Sequence, residues 1–274
     1  MNAHAGIGIF DSGVGGLTVL DAIRRTLPNE DLIYLGDTAR VPYGNRTPQT
    51  IIRYALSCAN ILVRYHIKAL VIACNTASAH ALAPLSAALQ TPVFGVIDPV
   101  AAYAAQTTQT KHIGVIGTRA TIGSGAYERA IHALDPTITL HAAACPLFVP
   151  LVEEGWANTG IARDTALAYL KHFAPPGDKA PALDTLILGC THYPILRDVI
   201  QETLTQLHIK ARLCDCASAT ATMLSKNLKQ RALLNPGDKA GSVRFLVTDD
   251  PEQFAAIGKA FLNEVPTDVT HIDL

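Results

Sequence analysis

Apolar residues in this chain come in short unbroken runs separated by longer mixed segments. The runs are "GIGIF" (6–10), "DLIYLG" (31–36), "ALVIA" (69–73), "PVFGVI" (92–97), "HIGVIG" (112–117), "TLILG" (185–189) and "SVRFLV" (242–247). Continuous rather than alternating apolarity predicts strands covered on both faces. Between them, stretches such as "TIIRYALSCANILVRY" (50–65) place apolar residues at helical spacing. Strand–helix alternation predicts an α/β fold with mainly parallel sheets. "FAPPGDKAPA" (173–182) reads as a surface loop rich in Pro and Gly.

The pattern repeats. "IGIFDSG" starts at Ile7 and "IGVIGTR" at Ile113, and each leads over a comparable span to an apolar run closed by cysteine, "LVIACNT" at Cys74 and "LILGCTH" at Cys190. Two similar α/β domains related by a pseudo-twofold axis would turn their strand ends to one cleft, since ligands of open α/β sheets bind at the carboxyl ends of strands. Cys74 and Cys190 would then face each other across it.

Composition narrows the function. Of 274 residues, 49% are hydrophobic, which supports a packed core and excludes a disordered chain. The 22 basic and 23 acidic residues leave a net charge of −1, so no footprint for nucleic acid or an anionic membrane is expected. No apolar stretch approaches the ~20 residues of a spanning helix, and "MNAHAGIGIFDSG" lacks the features of a secretory signal. A cytoplasmic enzyme with reduced thiols is the expectation. Its cysteines (58, 74, 145, 190, 214 and 216) form no C-x-x-C pair, so no metal site is expected, and four of them read as small core hydrophobes.

Cys74 and Cys190 read differently. Each ends an apolar run and is followed by polar residues and an expected helix start, a setting that lowers a thiol from ~8.5 toward neutrality. Such a group suits proton transfer in both senses. Asn75, Thr76 and Thr191 can donate to a carboxylate, His192 can assist Cys190, and Asp11 can assist Cys74. "FDSGVGGLTVL" (10–20) lacks the spacing of a nucleotide loop; Asp11 at a strand end beside a helix start can instead meet a small zwitterion. Tyr43 and Gly44 could close over a ligand and exclude water. A Cys-His hydrolase has no use for a second cysteine, and a dithiol oxidoreductase needs its cysteines within bonding distance. A cofactor-free racemase needs an acid and a base on opposite faces of one carbon, which a thiol pair fits best.

The segments "IGIFDSGVGGLTVL", "LGDTARVPYG", "LVIACNTASA", "GVIGTRAT", "PLFVPLVEEG", "LILGCTHYP" and "VTDDPEQFAAIGKAFL" resemble the glutamate racemases of the cofactor-independent aspartate/glutamate racemase superfamily. The resemblance spans nearly the whole chain. It implies two α/β domains, 1–98 with 210–274 and 99–209, with the active site in the cleft between them. It implies Cys74 and Cys190 as the proton-transfer residues, with Asp11, His192 and Glu153 assisting. It implies substrate contacts from Asp11, Ser12, Pro42, Tyr43, Gly44, Asn75, Thr76, Thr118, Thr121, Thr191 and His192. It further implies no cofactor, no metal, L- and D-glutamate as substrates, D-glutamate for peptidoglycan and cell-wall synthesis, and a homodimer. An aspartate racemase, a binding protein for acidic amino acids and a thiol redox protein remain the alternatives.

Overall fold

The computed structural model describes residues 2–174 and 183–274. The loop expected at 173–182 therefore lies mostly outside the described residues. Two compact units are present, Met1–Val96 with Ala217–Leu274, and Ile97–Cys216.

The first unit begins with β1 (Ile7–Asp11), α1 (Leu17–Thr26), β2 (Leu32–Gly36), α2 (Pro48–Val63), β3 (Ala69–Ile72), α3 (Asn75–Ala88) and β4 (Val93–Gly95). The second holds α4 (Ile97–Thr107), β5 (His112–Gly117), α5 (Arg119–Gly123), α6 (Ala126–His132), β6 (Thr139–Ala144), α7 (Phe148–Glu153), α8 (Gly160–Leu170), β7 (Thr185–Gly189), α9 (Arg197–Gln206) and β8 (Arg212–Asp215). The chain returns through α10 (Cys216–Gln230), and β9 (Val243–Val247), α11 (Pro251–Leu262) and β10 (Val269–His271) complete the first unit.

Both sheets are wholly parallel in the described pairings. The first runs β10-β9-β2-β1-β3-β4 and the second β6-β5-β7-β8. The order β2-β1-β3-β4 therefore recurs as β6-β5-β7-β8, which is the structural form of the repeat seen in the sequence. Cys74 follows the third-numbered strand of one set, and Cys190 follows its counterpart in the other.

Central strands bury every residue: β1, β3 and β7 have no half-exposed position. That two-sided burial is why they read as unbroken apolar runs. Each fully buried aliphatic side chain there contributes about 1.5–3 kcal/mol by area removed from water. Strands β6, β8 and β10, which the apolar pattern did not predict, all lie at sheet edges. An edge position leaves β6 largely exposed, so its sequence "TLHAAA" carries no apolar run.

Local signals fix several helices. Thr47 caps α2 by accepting from the Thr50 amide at 3.4 Å, with Pro48 opening the helix. Thr159 caps α8 through the Ala162 amide at 3.3 Å. No helix among the described residues is long and apolar enough to cross a membrane.

Candidate active site

In the first unit the parallel register brings Asp11, Asp37, Cys74 and Thr248 to one end of the sheet. Asp11 pairs with Gly36, Gly36 with Val247, and Phe10 with Ile72. These are carboxyl ends of strands, where open α/β sheets bind ligands.

Asp11 is fully buried, and its Oδ2 accepts from the Gly13 amide at 2.9 Å. Gly16 makes room for it: a Cβ there would stand 2.5 Å from Asp11 Cβ. Cys74 caps α3, its Sγ accepting from the Ala77 amide at 3.4 Å. The helix start was expected to lower this thiol, but burial and the Asp11 carboxylate outweigh it and push Cys74 up to about 11. The Ser12 hydroxyl and the amides of Ala77 and Thr76 pull the other way. Asn75 and Thr76 lie buried in the first turn of α3.

Pro42 is exposed, Gly44 is half-buried and Tyr43 is buried. The Tyr43 hydroxyl does not stand open to solvent: it donates to Asp37 Oδ2. Asp37, itself fully buried, also takes Arg40 Nε at 2.9 and 2.7 Å and the Thr248 hydroxyl at 3.0 Å. Arg40 in turn lies over the Tyr54 ring, 4.3 Å from its centroid. Reading the sequence missed Asp37, Arg40 and Thr248. The available signal was an aspartate directly after an apolar run, the same placement that singled out Asp11.

In the second unit Cys190 follows β7 and is 7% exposed. It does not cap a helix. Residues 190–192 form a turn, and a short 3-10 segment, Tyr193–Leu196, leads into α9. Cys190 Sγ lies 3.9 Å from His192 Nδ1, and the Thr191 hydroxyl lies 3.4 Å from the same nitrogen. His192 Nε2 is 2.9 Å from Glu153 Oε1 at the end of α7. A carboxylate only accepts, so Nε2 donates to Glu153, and Nδ1 faces Cys190 and Thr191. Tyr193 keeps the turn and α7 together: its hydroxyl donates to the Cys145 carbonyl at 2.8 Å and its ring meets Phe148 edge-on at 5.2 Å.

Thr118 follows β5, level with the end of β7. Its hydroxyl accepts from the Thr121 amide at 3.2 Å and pairs with the Thr121 hydroxyl at 2.9 Å. Thr121 also lines a cavity of about 80 Å³ with Val115, Ile122, Tyr127 and Leu140.

All six cysteines are buried thiols. Burial pushes the thiols of Cys145 to about 12 and Cys214 to about 11, and raises Cys58 further still, as expected of core groups. Among the described residues, no group of three or more His, Cys, Asp or Glu side chains is placed to hold a metal ion.

A thiol thus follows the corresponding strand in each of two sheets that share a four-strand order. Known proteins are similar to this chain in sequence and fold. The glutamate racemase of Geobacter metallireducens is 48% identical over 268 residues, covering 98% of this chain and 96% of that one. The crystal structure of glutamate racemase from Francisella tularensis in complex with D-glutamate matches with a TM-score of 0.90 and 37% identity, over 99% of this chain and 98% of that one. The Thermus thermophilus glutamate racemase in complex with beta-chloro-D-alanine gives 0.87 and 44%, over 100% and 99% of the two chains. Residues 7–224 match the family described as Asp/Glu/Hydantoin racemase, and the chain belongs to that family.

Proposed function

We infer that this chain is a glutamate racemase, an isomerase that interconverts L- and D-glutamate by proton transfer at Cα. The observation that carries the two-thiol mechanism is the recurrence of a cysteine after the corresponding strand of two sheets that share a four-strand order. A racemase needs just such a pair, one group to remove the α-proton and one to return it on the other face.

In this reading one thiolate takes the α-proton, the electron pair stays on the substrate as a planar carbanion, and the second thiol donates its proton to the opposite face. The first sulfur ends as thiol and the second as thiolate, so the reverse reaction starts from the product state. Cys74 serves D-glutamate and Cys190 serves L-glutamate. Ser12, Asn75, Thr76 and Thr191 hold the carboxylates and the ammonium group. Asp11 governs proton exchange at Cys74, and the Glu153–His192 pair does so at Cys190. Pro42, Tyr43, Gly44, Thr118 and Thr121 shape the remainder of the pocket. No cofactor enters the scheme. The enzyme works in the cytoplasm as a homodimer and supplies D-glutamate for peptidoglycan.

Racemisation in deuterated water tests the scheme. Deuterium enters Cα during turnover, and Cys74→Ser and Cys190→Ser each lose interconversion by at least about a hundredfold. Near wild-type racemisation by either variant overturns it.

A further inference from the structure

Ser78 lies in the first turn of α3 and is 4% exposed. A buried hydroxyl costs free energy unless it is hydrogen-bonded. This one is bonded twice: it donates to the Ile72 carbonyl at 2.8 Å and accepts from the Val96 amide at 3.2 Å. Ile72 closes β3. Val96 follows β4, the neighbouring strand, on which Gly95 pairs with Ile72. Gly95 also leaves room for the hydroxyl, since a Cβ there would stand 3.3 Å from Ser78 Oγ.

The same residue reaches Cys74 through its main chain. The Ser78 amide donates to the Cys74 carbonyl at 2.8 Å. Ser78 therefore holds the backbone on both sides of Ala73, whose own amide is fixed on the Phe10 carbonyl at 2.8 Å. Next to it, the Ala77 amide donates to Cys74 Sγ at 3.4 Å. The second unit holds the corresponding carbonyl by different chemistry. Leu188 stands two residues ahead of Cys190, as Ile72 stands two ahead of Cys74, and its carbonyl accepts from Cys216 Sγ at 3.5 Å. Leu188 pairs with Asp215 as Ile72 pairs with Gly95, so Cys216 and Val96 take the same place just past the edge strand.

We propose that Ser78 is a positioning residue: its hydroxyl ties the Ile72 carbonyl to the exit of β4 and so fixes the turn that presents the Cys74 sulfur to the Ala77 amide. It acts through this turn and not on substrate. The proposal rests on the thiol reading above for its catalytic meaning, but its geometry belongs to the first unit alone.

The test is the pH profile of Cys74 alkylation by iodoacetamide in the full chain, read by peptide mass spectrometry. Ser78→Ala removes one oxygen and keeps a good helix former. Asp11 and Tyr34, ionisable neighbours of Cys74, are unaltered in this variant. The midpoint for Cys74 labelling moves up because the thiolate loses a fixed amide donor, leaving about threefold less thiolate at a fixed lower pH. The Cys190 profile stays in place. Ser78→Thr keeps a hydroxyl and therefore keeps the wild-type midpoint. A wild-type Cys74 midpoint in Ser78→Ala overturns the proposal, as does an equal shift in Ser78→Thr or a matching shift at Cys190. If Ser78→Ala does not fold, Gly95→Ala, whose Cβ presses on the Ser78 hydroxyl, moves the midpoint the same way or the proposal fails. Labelling requires no turnover, so a failure of glutamate racemisation and a failure of this proposal are separate results.

Discussion

His192 Nε2 meets Glu153 Oε1 at 2.9 Å, and that contact turns the other ring nitrogen toward Cys190. Glu153→Gln offers an amide that can donate to Nε2 and so favours the opposite tautomer. We expect kcat to fall by about tenfold or more with KM little changed, since the effect falls on proton transfer rather than on binding. Initial rates of racemisation followed by circular dichroism check this. A variant with wild-type kcat shows that Glu153 does not set the tautomer.

Asp11 raises the Cys74 thiol, second only to burial. Asp11→Asn keeps an oxygen for the Gly13 amide and removes the charge. Cys74 then ionises below about 11, and its alkylation at pH 8 speeds up by several-fold. Slower or unchanged labelling contradicts the electrostatic role. If Asp11 governs proton exchange at Cys74 as proposed, racemisation by this variant declines all the same.

The Asp37 carboxylate anchors Arg40, Tyr43 and Thr248. Asp37→Ala leaves a partly buried guanidinium without its partner, a loss of about 3 kcal/mol or more. Thr248→Val deletes two hydrogen bonds, one to Asp37 and one from the Ala39 amide, and costs about 2 kcal/mol. Urea midpoints of the two variants should rank in that order, and equal midpoints would show that the ion pair is not the larger contribution.

These cases show what the linear sequence conveys. The β5 and β7 limits, 112–117 and 185–189, match the apolar runs because both strands are covered on two faces. Cys74, Cys190, Asp11 and His192 could be picked out because each lies at or just past the end of such a run. Asp37 has the same placement, but its purpose is set by Thr248, which pairs with it from the far end of the chain. The ionisation of Cys74 was misjudged for a related reason. A helix start is visible in the sequence, whereas the depth of burial and the distance of a carboxylate on the neighbouring strand are not.

Buried thiols also make the fold sensitive to alkali. Unfolded cysteines ionise near ~8.5, whereas Cys74 and Cys214 are held to about 11 and Cys145 to about 12. Between these limits the unfolded chain binds fewer protons than the native one, so stability falls as pH rises. The full contribution is present below ~8.5 and is lost progressively through 11 to 12. Cys145→Ala should flatten the decline of stability by about one proton over this window, measured by urea titration at several pH values. An unchanged slope contradicts the assignment.

Strand β9 joins β2 with Val243 opposite Leu32, whereas the second unit is one unbroken stretch of chain. A nascent polypeptide leaving the ribosome can therefore finish the 97–216 unit while the flank of β2 still waits for its neighbour. Until Val243 emerges, that unpaired flank is the place where a chaperone would bind or aggregation would begin.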